Sequence, residues 1–435
     1  MFDPGVAAAD QLRTLLETML GGPLPVRLRC WDGSETGPAD AAATVVFRHR
    51  RALRRLVWAP NELGLARAYV SGDVDFDGDV FAVLDLEKVV AKLARDEPIG
   101  LTGRQRLGAA GTALRLGAVG LPPAPPPEEV RPARGRKHSR DRDARSVSHH
   151  YDVGNDFYRL VLGPSLVYSC AYWAEPPGAA YTLDEAQRDK LELICAKLGL
   201  RPGMRLLDVG CGWGSLLLHA AGEHGVSAVG VTVSREQAGL ARRRVAGAGL
   251  VDRVEVRLQD YRDVADGPYD AIASVGMAEH VGLAGLAGYA RGLVGLLGPG
   301  GRLLNHAISS VRAQPDRPDR RPTFIGRYIF PDGEVLPLSA TLDALERAGA
   351  EVRDTEALRE HYALTLRAWT ANLQGSWARA EREVGAGRAR TWLLYLAAAA
   401  LAFERGGLTV HQVVAVRQDR HGGSCWPRTR AEWLG

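Results

Sequence analysis

Two patterns of apolar and polar positions divide this 435-residue chain. In its C-terminal two thirds, short apolar runs typical of strands alternate with longer runs typical of helices. The predicted strands are MRLLDVG (204–210), SAVGVTV (227–233), VEVRLQD (254–260), YDAIASVG (269–276) and GGRLLNHAI (300–308). The predicted helices are SLLLHAAGEH (215–224), SREQAGLARRRVAGAG (234–249) and LAGYARGLVGLL (286–297). This alternation predicts an α/β domain with a doubly wound parallel sheet, which binds ligands at the carboxyl ends of its strands.

The N-terminal part of the chain has a different pattern. Residues 1–95 open with a helical run, AAADQLRTLLETML, and continue with the strand-like runs PVRLRCW and AATVVFRH. ELGLARAYVSGDVDFDGDVFAVLDLEKVVAKL (62–93) then predicts a helix, a turn and a second helix. We therefore expect a small α+β domain over residues 1–95, a linker over 96–148 and a larger domain over 149–435.

The predicted linker contains two biased stretches. LPPAPPPEE (121–129) must be extended, and RPARGRKHSRDRDAR (131–145) is strongly basic, although the net charge of the whole chain is only +4. Between residues 103 and 120 the sequence also allows an amphipathic helix. A basic cluster favours anionic surfaces such as phospholipid head groups, nucleic acid or acidic partners, and a solvated linker is the alternative.

Composition excludes several classes of protein. Hydrophobic residues make up 46% and charged residues 24%, as in soluble globular proteins. The longest apolar run, TWLLYLAAAALAF (391–403), is shorter than the roughly 20 residues that span a bilayer, so we expect a buried helix. The five cysteines show no CxxC spacing, which argues against a disulfide framework and against a structural zinc site. We expect a cytoplasmic protein without a metal.

The turn LLDVGCGWGS (206–215) joins the first predicted strand of the sheet to a helix. A phosphate-binding P-loop would require Gly-Lys-Ser/Thr, which is absent from this turn. A dinucleotide fold would require GxGxxG and an acidic residue at the tip of the second strand, and neither is present. The pattern fits S-adenosylmethionine (SAM), with Asp208 near the methionine amine and the glycines beneath the ligand. Asp260 and Tyr261 then lie where an acid and a ring would meet adenine.

The larger region resembles the cyclopropane-fatty-acyl-phospholipid synthases and the related mycolic-acid and fatty-acyl methyltransferases. The matching segments are residues 149–173, 183–214, 230–237, 274–282, 298–309, 324–337 and 361–369. Residues 1–95 look like the lipid-associated domain of the longer family members. The resemblance implies a Rossmann-like class I SAM-dependent methyltransferase domain with a smaller N-terminal α+β lipid-associated domain.

In that family, SAM methylates the cis double bond of an acyl chain, and the resulting carbocation loses a proton to bound bicarbonate. Loss from the new methyl group gives a cyclopropane, and loss from a neighbouring carbon gives a methylene branch. The resemblance implies a bicarbonate cradle of Cys170, Glu279, His306, Ile308 (through its backbone) and Tyr362. The positions that it implies for SAM are Tyr168, Ser169, Asp208, Gly210, Gly212, Thr232, Val233, Gln237, Asp260 and Tyr261.

Two positions depart from the family pattern. Many members carry a cysteine where this chain has Ala399, and an aromatic residue often stands where it has Ala278. If the missing thiol were an essential nucleophile, this chain would be inactive. We therefore expect a mechanism without covalent attachment to the protein.

These observations predict a SAM-dependent methyltransferase that acts on unsaturated phospholipid acyl chains and lies peripherally on the inner face of the membrane. The expected product is a cyclopropane. The alternative is a 10-methylene or 10-methyl (tuberculostearate-type) branch, for which a separate reductase completes the methyl product. A homodimer is expected by resemblance and nucleic acid is not expected as a partner. A non-catalytic lipid-binding protein on the same fold is the alternative of another class.

Overall fold

The computed structural model describes residues 6–20, 22–85, 103–130, 137, 139–140, 142–143, 153–311 and 322–434. Most of the predicted basic run and part of the predicted linker therefore lie outside the described residues. The chain forms two compact units. The first comprises Met1–Pro132, Arg321–Ile329 and Trp377–Ala398, and the second comprises Ala133–Arg320, Phe330–Ser376 and Ala399–Gly435. The three-segment division expected from the sequence stays a prediction.

The first unit is built on a small mixed sheet. Its strands are β1 (Arg27–Arg29), β2 (Glu35–Thr36), β3 (Ala43–Phe47) and β4 (Val74–Gly78), in the order β2-β1-β3-β4. Its first helices are α1 (Ala8–Leu20), α2 (Arg51–Trp58), α3 (Glu62–Val70), α4 (Val80–Leu84) and α5 (Gly103–Arg115). Leu12, Leu28 and Val45 belong to the apolar core between sheet and helices. The predicted opening helix and the two predicted strands are confirmed.

The stretch predicted as a turn after α3 contains strand β4. It pairs antiparallel with β3, with Phe76 opposite Val45. The sequence VDFDG hides this strand because aspartates occupy alternate positions and are uncommon in strands. At the edge of a sheet, however, charged residues at alternating positions are tolerated and protect the edge from further pairing.

The second unit contains eight strands in one sheet. They are β5 (Arg205–Val209), β6 (Ser227–Thr232), β7 (Val254–Leu258), β8 (Tyr269–Val275), β9 (Leu297–Ser310), β10 (Leu336–Pro337), β11 (Ala350–Ala357) and β12 (Leu408–Arg417). The order is β11-β12-β9-β8-β5-β6-β7, and β10 pairs with β9. Strands β7, β6, β5, β8 and β9 are parallel neighbours. The five strands predicted from the apolar runs are therefore confirmed.

The helices complete the doubly wound arrangement. They are α6 (Asn155–Leu162), α7 (Leu183–Leu198), α8 (Ser215–Glu223), α9 (Arg235–Gly247), α10 (Ala278–Leu296), α11 (Phe324–Tyr328), α12 (Leu338–Arg347), α13 (Arg359–Gly375), α14 (Trp377–Val384), α15 (Ala386–Glu404) and α16 (Ala431–Leu434). Of these, α11 and α14 belong to the first unit, and α15 runs from the first into the second. Chain order reverses at β5, whose neighbours are β6 and β8, so the carboxyl ends of these strands form the ligand-binding crevice.

Two C-terminal strands add an antiparallel edge to the parallel sheet. Strand β12 pairs with both β9 and β11, and it places Val410 opposite Ile308 and Gln412 opposite His306. The sequence analysis did not predict β11 or β12. Their pairing fixes the end of β9, where two of the predicted site residues lie.

The long apolar run 391–403 lies within α15, as expected for a buried helix. Leu393, Leu396 and Phe403 are among its buried side chains. Within the described ranges, none of the helices combines the length and the hydropathy of a membrane-spanning segment.

Candidate active site

A cavity opens at the carboxyl ends of β5, β6 and β8. All ten positions predicted for SAM line this one cavity. They are Tyr168, Ser169, Asp208, Gly210, Gly212, Thr232, Val233, Gln237, Asp260 and Tyr261. The topological switch point of the sheet thus coincides with the glycine turn, as the strand pattern predicted.

The glycine turn between β5 and α8 depends on backbone conformations that favour glycine. Gly210, Gly212 and Gly214 have φ values of +82°, +53° and +82°. A Cβ atom on Gly210 would lie 2.5 Å from the sulfur of Met277, so a larger residue would displace the Met277 side chain. The N–H groups of Gly210 and Cys211 both donate to the carbonyl of Val231 at 3.0 Å. The turn is therefore held tightly against β6 with its backbone exposed to a ligand.

A buried acid and a buried base lie together at the start of this turn. Asp208 and Lys190 are both almost fully buried, and the Lys190 Nζ donates to the Ser169 Oγ at 2.8 Å. Burial raises the pKa of Asp208 to about 7, although the charge of Lys190 opposes the shift. Burial likewise lowers the pKa of Lys190 to about 8. A cationic group of a ligand placed beside Asp208 would stabilise its ionised form.

The carboxyl ends of β6 and β7 supply further residues of the cavity. The Thr232 hydroxyl donates to the Gln237 Oε1 at 2.8 Å, and the Ser234 side chain caps α9 by accepting from the Gln237 N–H. Asp260 forms a bidentate ion pair with Arg262. The Tyr261 ring packs edge-on against the ring of Tyr289. Both carboxylate oxygens of Asp260 accept hydrogen bonds from Arg262. Fewer acceptor positions therefore remain for the adenine amine, which is the partner predicted from the sequence.

The second group of predicted residues comes from several elements: His306 and Ile308 lie on β9, Glu279 on α10, Tyr362 on α13, and Cys170 in the segment between α6 and α7. We call Cys170, Glu279, His306, Ile308 and Tyr362 the anion cluster. Glu279 lies in the first turn of α10, which Gly282 interrupts with a φ of +66°. The Ile308 N–H donates to the Glu279 Oε1 at 2.6 Å. The structure therefore gives this N–H to the glutamate, whereas the sequence analysis assigned it to bicarbonate.

Two polar atoms of the anion cluster are buried without a hydrogen-bond partner among the described residues. They are the Glu279 Oε2 and the His306 Nε2. On its other side, His306 shares a 3.3 Å hydrogen bond between its Nδ1 and the Gln412 Nε2. Buried polar atoms are rarely left unpaired, because the loss of hydration costs free energy. A small polar ligand that pairs with both atoms would remove this cost.

Burial favours the neutral forms of the acid and the imidazole in the anion cluster. It raises the pKa of Glu279 to about 7, against the opposing N–H of Ile308. It lowers the pKa of His306 well below the usual value, and the charge of Lys190 adds to the effect. A protonated Glu279 donates from its Oε2, which is the role that an anion would require.

Cys170 and Tyr362 reach the cluster through one short backbone segment. The Cys170 thiol lies within hydrogen-bond distance of two carbonyls, that of Ala171 at 3.1 Å and that of Leu358 at 3.6 Å, and the Tyr362 N–H donates to the Leu358 carbonyl at 3.1 Å. The Leu358 N–H in turn donates to Val410, whose partner across the sheet is Ile308. Burial raises the pKa of Cys170, so this thiol stays neutral. These contacts link Cys170 and Tyr362 through Leu358 to β12 and so to β9, and the roles of the five predicted residues stay predictions.

The two departures from the family pattern are adjacent to the anion cluster. Ala278 directly precedes Glu279. Ala399 lies one helical turn before Phe403 on α15, and the Phe403 ring packs at 4.6 Å from that of Tyr362. The structure thus places a methyl side chain on the helix face where other members carry a thiol.

Several groups that line the cavity were not predicted from the sequence, among them Lys190, Asp143 and Trp213. Lys190 lies on the face of α7 that also carries Gln187 and Ile194, both fully buried. A lysine at an apolar helical position was the available signal. Asp143, which pairs with Arg262, also lines the cavity although it lies in the predicted linker. Trp213, within the glycine turn, donates from its Nε1 to Asn155 at 2.7 Å.

Comparison with known proteins identifies the class that this fold and site define. Residues 138–413 match the family model described as mycolic acid cyclopropane synthetase. The chain belongs to this family, and its second unit has the Rossmann-like fold of SAM-dependent methyltransferases. The predicted fold class and the predicted family are confirmed.

Two curated relatives match nearly the whole chain. A probable fatty acid methyltransferase of Mycobacterium tuberculosis is 42% identical over 93% of this chain and 94% of its own length. The tuberculostearic acid methyltransferase of the same organism is 34% identical over 95% of this chain and 93% of its own length. Among solved structures, the mycolic acid cyclopropane synthase CmaA1 complexed with SAH and CTAB is 33% identical, with a TM-score of 0.58. It covers 62% of this chain and 97% of its own.

Proposed function

We propose that this protein transfers the methyl group of SAM to the cis double bond of an unsaturated phospholipid acyl chain and forms a cyclopropane. The observation that carries the proposal is the anion cluster, with its buried, unpaired Glu279 Oε2 and His306 Nε2, in the same unit as the SAM-type cavity. The match to the cyclopropane synthetase family and the SAH-bound relative support the donor and the reaction class.

Each reactant places a different demand on the protein. When bound, SAM supplies an electrophilic methyl group, and the π electrons of the alkene form the new carbon–carbon bond as the sulfur–methyl bond breaks. Bicarbonate held by the anion cluster would supply the base for a proton of the new methyl group, and the C–H electron pair left behind would close the ring. No side chain needs to activate the alkene. The protein must instead align the reactants and exclude water.

The residues of the anion cluster suit bicarbonate because they present neutral donors. An ionised glutamate would repel an anion, but the pKa of Glu279 at about 7 allows the carboxyl to hold its proton and donate through its Oε2. Neutral His306 donates or accepts through its Nε2, according to its tautomer. The Tyr362 phenol supplies a further O–H group. Such an anion would also stabilise the neighbouring carbocation.

A second product is supported by a specific comparison. The tuberculostearic acid methyltransferase matches this chain over 95% of its length, including the N-terminal unit. The same carbocation would then lose a proton from a neighbouring chain carbon, which leaves a methylene branch. Reduction of that branch to a methyl group needs a separate reductase with its own reductant.

We also propose that the first unit docks on an anionic membrane surface. Eight large apolar side chains of this unit are exposed, and six of them lie on α2, on α5 or in the segment after α5: Val57, Trp58, Leu107, Leu114, Val119 and Leu121. We call these six the apolar face. The Trp58 Nε1 donates to the Gly120 carbonyl, which lies between Val119 and Leu121, so helix α2 and the segment after α5 meet here. Trp and Leu at a surface bordered by Arg are typical of interfacial binding.

Arginines border the apolar face. The Arg54 Nε donates to the Gly117 carbonyl at 3.2 Å, Arg50 packs beside the same glycine, and Arg115 directly follows Leu114. In the basic run, by contrast, Arg140 pairs with Asp263 and Arg142 forms a buried bidentate pair with Asp332. Arg140 and Arg142 therefore stabilise the second unit through ion pairs. The arginines beside the apolar face are better placed to attract lipid head groups.

Incubation with methyl-labelled SAM and dioleoyl phospholipid vesicles, followed by NMR of the lipid, tests the reaction. The proposal predicts labelled cyclopropane protons far upfield, whereas vinylidene signals would support the branched product. SAM binding without labelled lipid, on vesicles that the protein demonstrably binds, would contradict both reactions.

Vesicle flotation tests the docking surface separately. The double variant Leu107→Asp with Leu121→Asp should lose binding to anionic vesicles, because both changes fall on exposed positions of the apolar face. Val251→Asp, at an exposed apolar position of the second unit, is the matched control and should float like the wild type. Equal flotation of all three proteins would overturn the docking proposal.

A further inference from the structure

Four side chains with metal-binding atoms converge between α7 and α8, outside the cofactor cavity. We call Glu192, Cys195, His219 and His224 the α7–α8 cluster. One ligand atom each from Cys195, His219 and His224 lie within 4.8 Å of one another. The Nε2 atoms of both histidines also lie 3.0 Å from the same Glu192 Oε2.

We propose that the α7–α8 cluster is a structural Zn²⁺ site in which Cys195, His219 and His224 bind from the positions that the structure shows, and Glu192, whose carboxylate contacts both imidazoles, turns to become the fourth ligand. A thiolate, two imidazoles and a carboxylate are the ligand types that zinc prefers. The mixed sulfur and nitrogen donors disfavour Mg²⁺ and Ca²⁺, which take oxygen ligands. Four protein ligands complete a tetrahedron, and this is typical of structural rather than catalytic zinc.

The hydrogen-bonding pattern itself favours a cation at this place. Both histidines direct an Nε2 at one carboxylate oxygen, so each must place a proton there. A single Zn²⁺ would replace these protons and the thiol proton of Cys195 while keeping the same groups together. Cys195 is fully buried, whereas 52% of the Glu192 side chain is exposed. The ion would therefore enter from the Glu192 side and reach a ligand that is shielded from solvent.

The charge balance agrees with the geometry. A divalent cation between Cys195 and Glu192 would stabilise both the thiolate and the carboxylate. Zinc with one thiolate, one carboxylate and two neutral imidazoles carries no net charge.

The position of the α7–α8 cluster suggests what the metal would stabilise. Helix α7 carries Lys190, which binds Ser169 in the cofactor cavity, and helix α8 begins at Ser215, directly after the glycine turn. A zinc ion would hold these two helices together at a point outside the cofactor cavity. The proposal does not depend on the lipid substrate, since it concerns the stability of the second unit.

The sequence analysis argued against a zinc site because the five cysteines show no CxxC spacing. The donors instead follow the pattern E-x2-C on α7 and H-x4-H across the end of α8. One helical turn separates Glu192 from Cys195, and His224 caps the helix that carries His219. Only the packing of α7 on α8 joins the two halves, which is why the sequence alone did not show the site.

Metal titration of the full chain, with any affinity tag removed, tests the proposal. Metal-free protein should take up one Zn²⁺ per chain by elemental analysis and unfold at a higher temperature when loaded. Co²⁺ as the probe should give the visible bands of tetrahedral cobalt and a near-ultraviolet charge-transfer band from the thiolate. His219→Gln should weaken Zn²⁺ binding by about 100-fold or more, and Cys195→Ser should abolish the charge-transfer band.

Matched controls exclude adventitious binding. Cys425→Ser and His421→Gln change an exposed cysteine and an exposed histidine elsewhere, and both should bind like the wild type. If Cys195→Ser fails to fold, His219→Gln decides, because its side chain is partly exposed. No stoichiometric Zn²⁺ uptake by the wild type, or equal uptake by His219→Gln and His421→Gln, would overturn the proposal.

Discussion

The cofactor cavity and the anion cluster lie in the same unit but are built in different ways. Eight of the ten positions predicted for SAM lie at or just after the ends of β5, β6 and β7, and the central turn of the cavity is one short glycine-rich sequence. The anion cluster draws on residues from 170 to 362 and depends on the pairing of β9 with β12. Local sequence therefore specifies the first region, whereas tertiary packing assembles the second.

Each region contains a buried acid with a raised pKa, but different groups oppose the shift in the two regions. Burial raises the pKa of Asp208 to about 7 in the cavity, where the charge of Lys190 opposes the shift. Burial raises the pKa of Glu279 to a similar value in the cluster, where hydrogen bonds from backbone N–H groups oppose it. The first acid has a cation beside it before any ligand arrives. Glu279 has one buried oxygen, Oε2, without a hydrogen-bond partner among the described residues. Variants of the two acids should therefore separate donor binding from the chemistry.

The largest effect is expected for Glu279→Gln. The amide keeps the shape of the side chain but loses the titratable proton, so turnover on lipid should fall by about 100-fold or more. Affinity for SAH, measured by calorimetry, should stay unchanged because Glu279 belongs to the anion cluster. Glu346→Gln, at an exposed position on α12, is the matched control. Equal turnover of the two variants would remove Glu279 from the reaction.

A smaller effect of a different kind is expected for Asp208→Asn. The variant loses a charged partner for the donor, so its affinity for SAM should fall by about 30-fold. Turnover should recover largely when SAM is raised to saturation, in contrast to Glu279→Gln. Asp252→Asn, on an exposed loop, serves as the control. A loss of turnover that saturating SAM does not restore would contradict the separation of the two regions.

Tyr362→Phe should reduce turnover by about 10-fold, because it removes one hydroxyl from the anion cluster and keeps the ring that packs on Phe403. Tyr395→Phe, at another buried tyrosine, should leave turnover unchanged. SAH binding by both variants checks that the cavity is intact. A reduced SAH affinity for Tyr362→Phe would show that this tyrosine acts on the cofactor side.

The last prediction concerns the pH dependence of stability rather than turnover or affinity. The pKa of Glu279 is raised from 4.5 to about 7 in the folded state, so the folded protein holds this proton more tightly than the unfolded chain. Its contribution to the free energy of unfolding is therefore favourable at low pH and is lost as the pH rises to 7. The full change is about 3 kcal/mol. Asp208 contributes in the same direction.

Urea unfolding at acidic and at neutral pH, compared between the wild type and Glu279→Gln, isolates this contribution. The variant should lose less stability than the wild type as the pH rises through this range, because its amide does not titrate. The opposite order would show that Glu279 is ionised in the folded protein, and the anion cluster would then repel bicarbonate.

The sequence predicted the features that depend on residues close together in the chain, and it did not predict those that depend on tertiary packing. The motif LLDVGCGWGS and the five parallel strands were visible because each depends on neighbours close in the chain. Lys190 was missed because a lysine at an apolar helical position has meaning only beside Asp208. Strand β4 was hidden by aspartates that are tolerated only at a sheet edge, and the α7–α8 cluster by the distance between its two halves. The use of the Ile308 N–H by Glu279 depends on the loop after β8, which no local pattern encodes.

The most direct test of the central claim, that a neutral Glu279 and its neighbours hold a small anion beside the reacting double bond, is turnover with and without bicarbonate. In carbonate-free buffer the wild type should lose most of its methyl transfer to oleoyl phospholipid, and added bicarbonate should restore it. Glu279→Gln should not respond to the same addition, although it binds SAH normally. Full activity of the wild type without bicarbonate, or an equal response by the variant, would contradict the account.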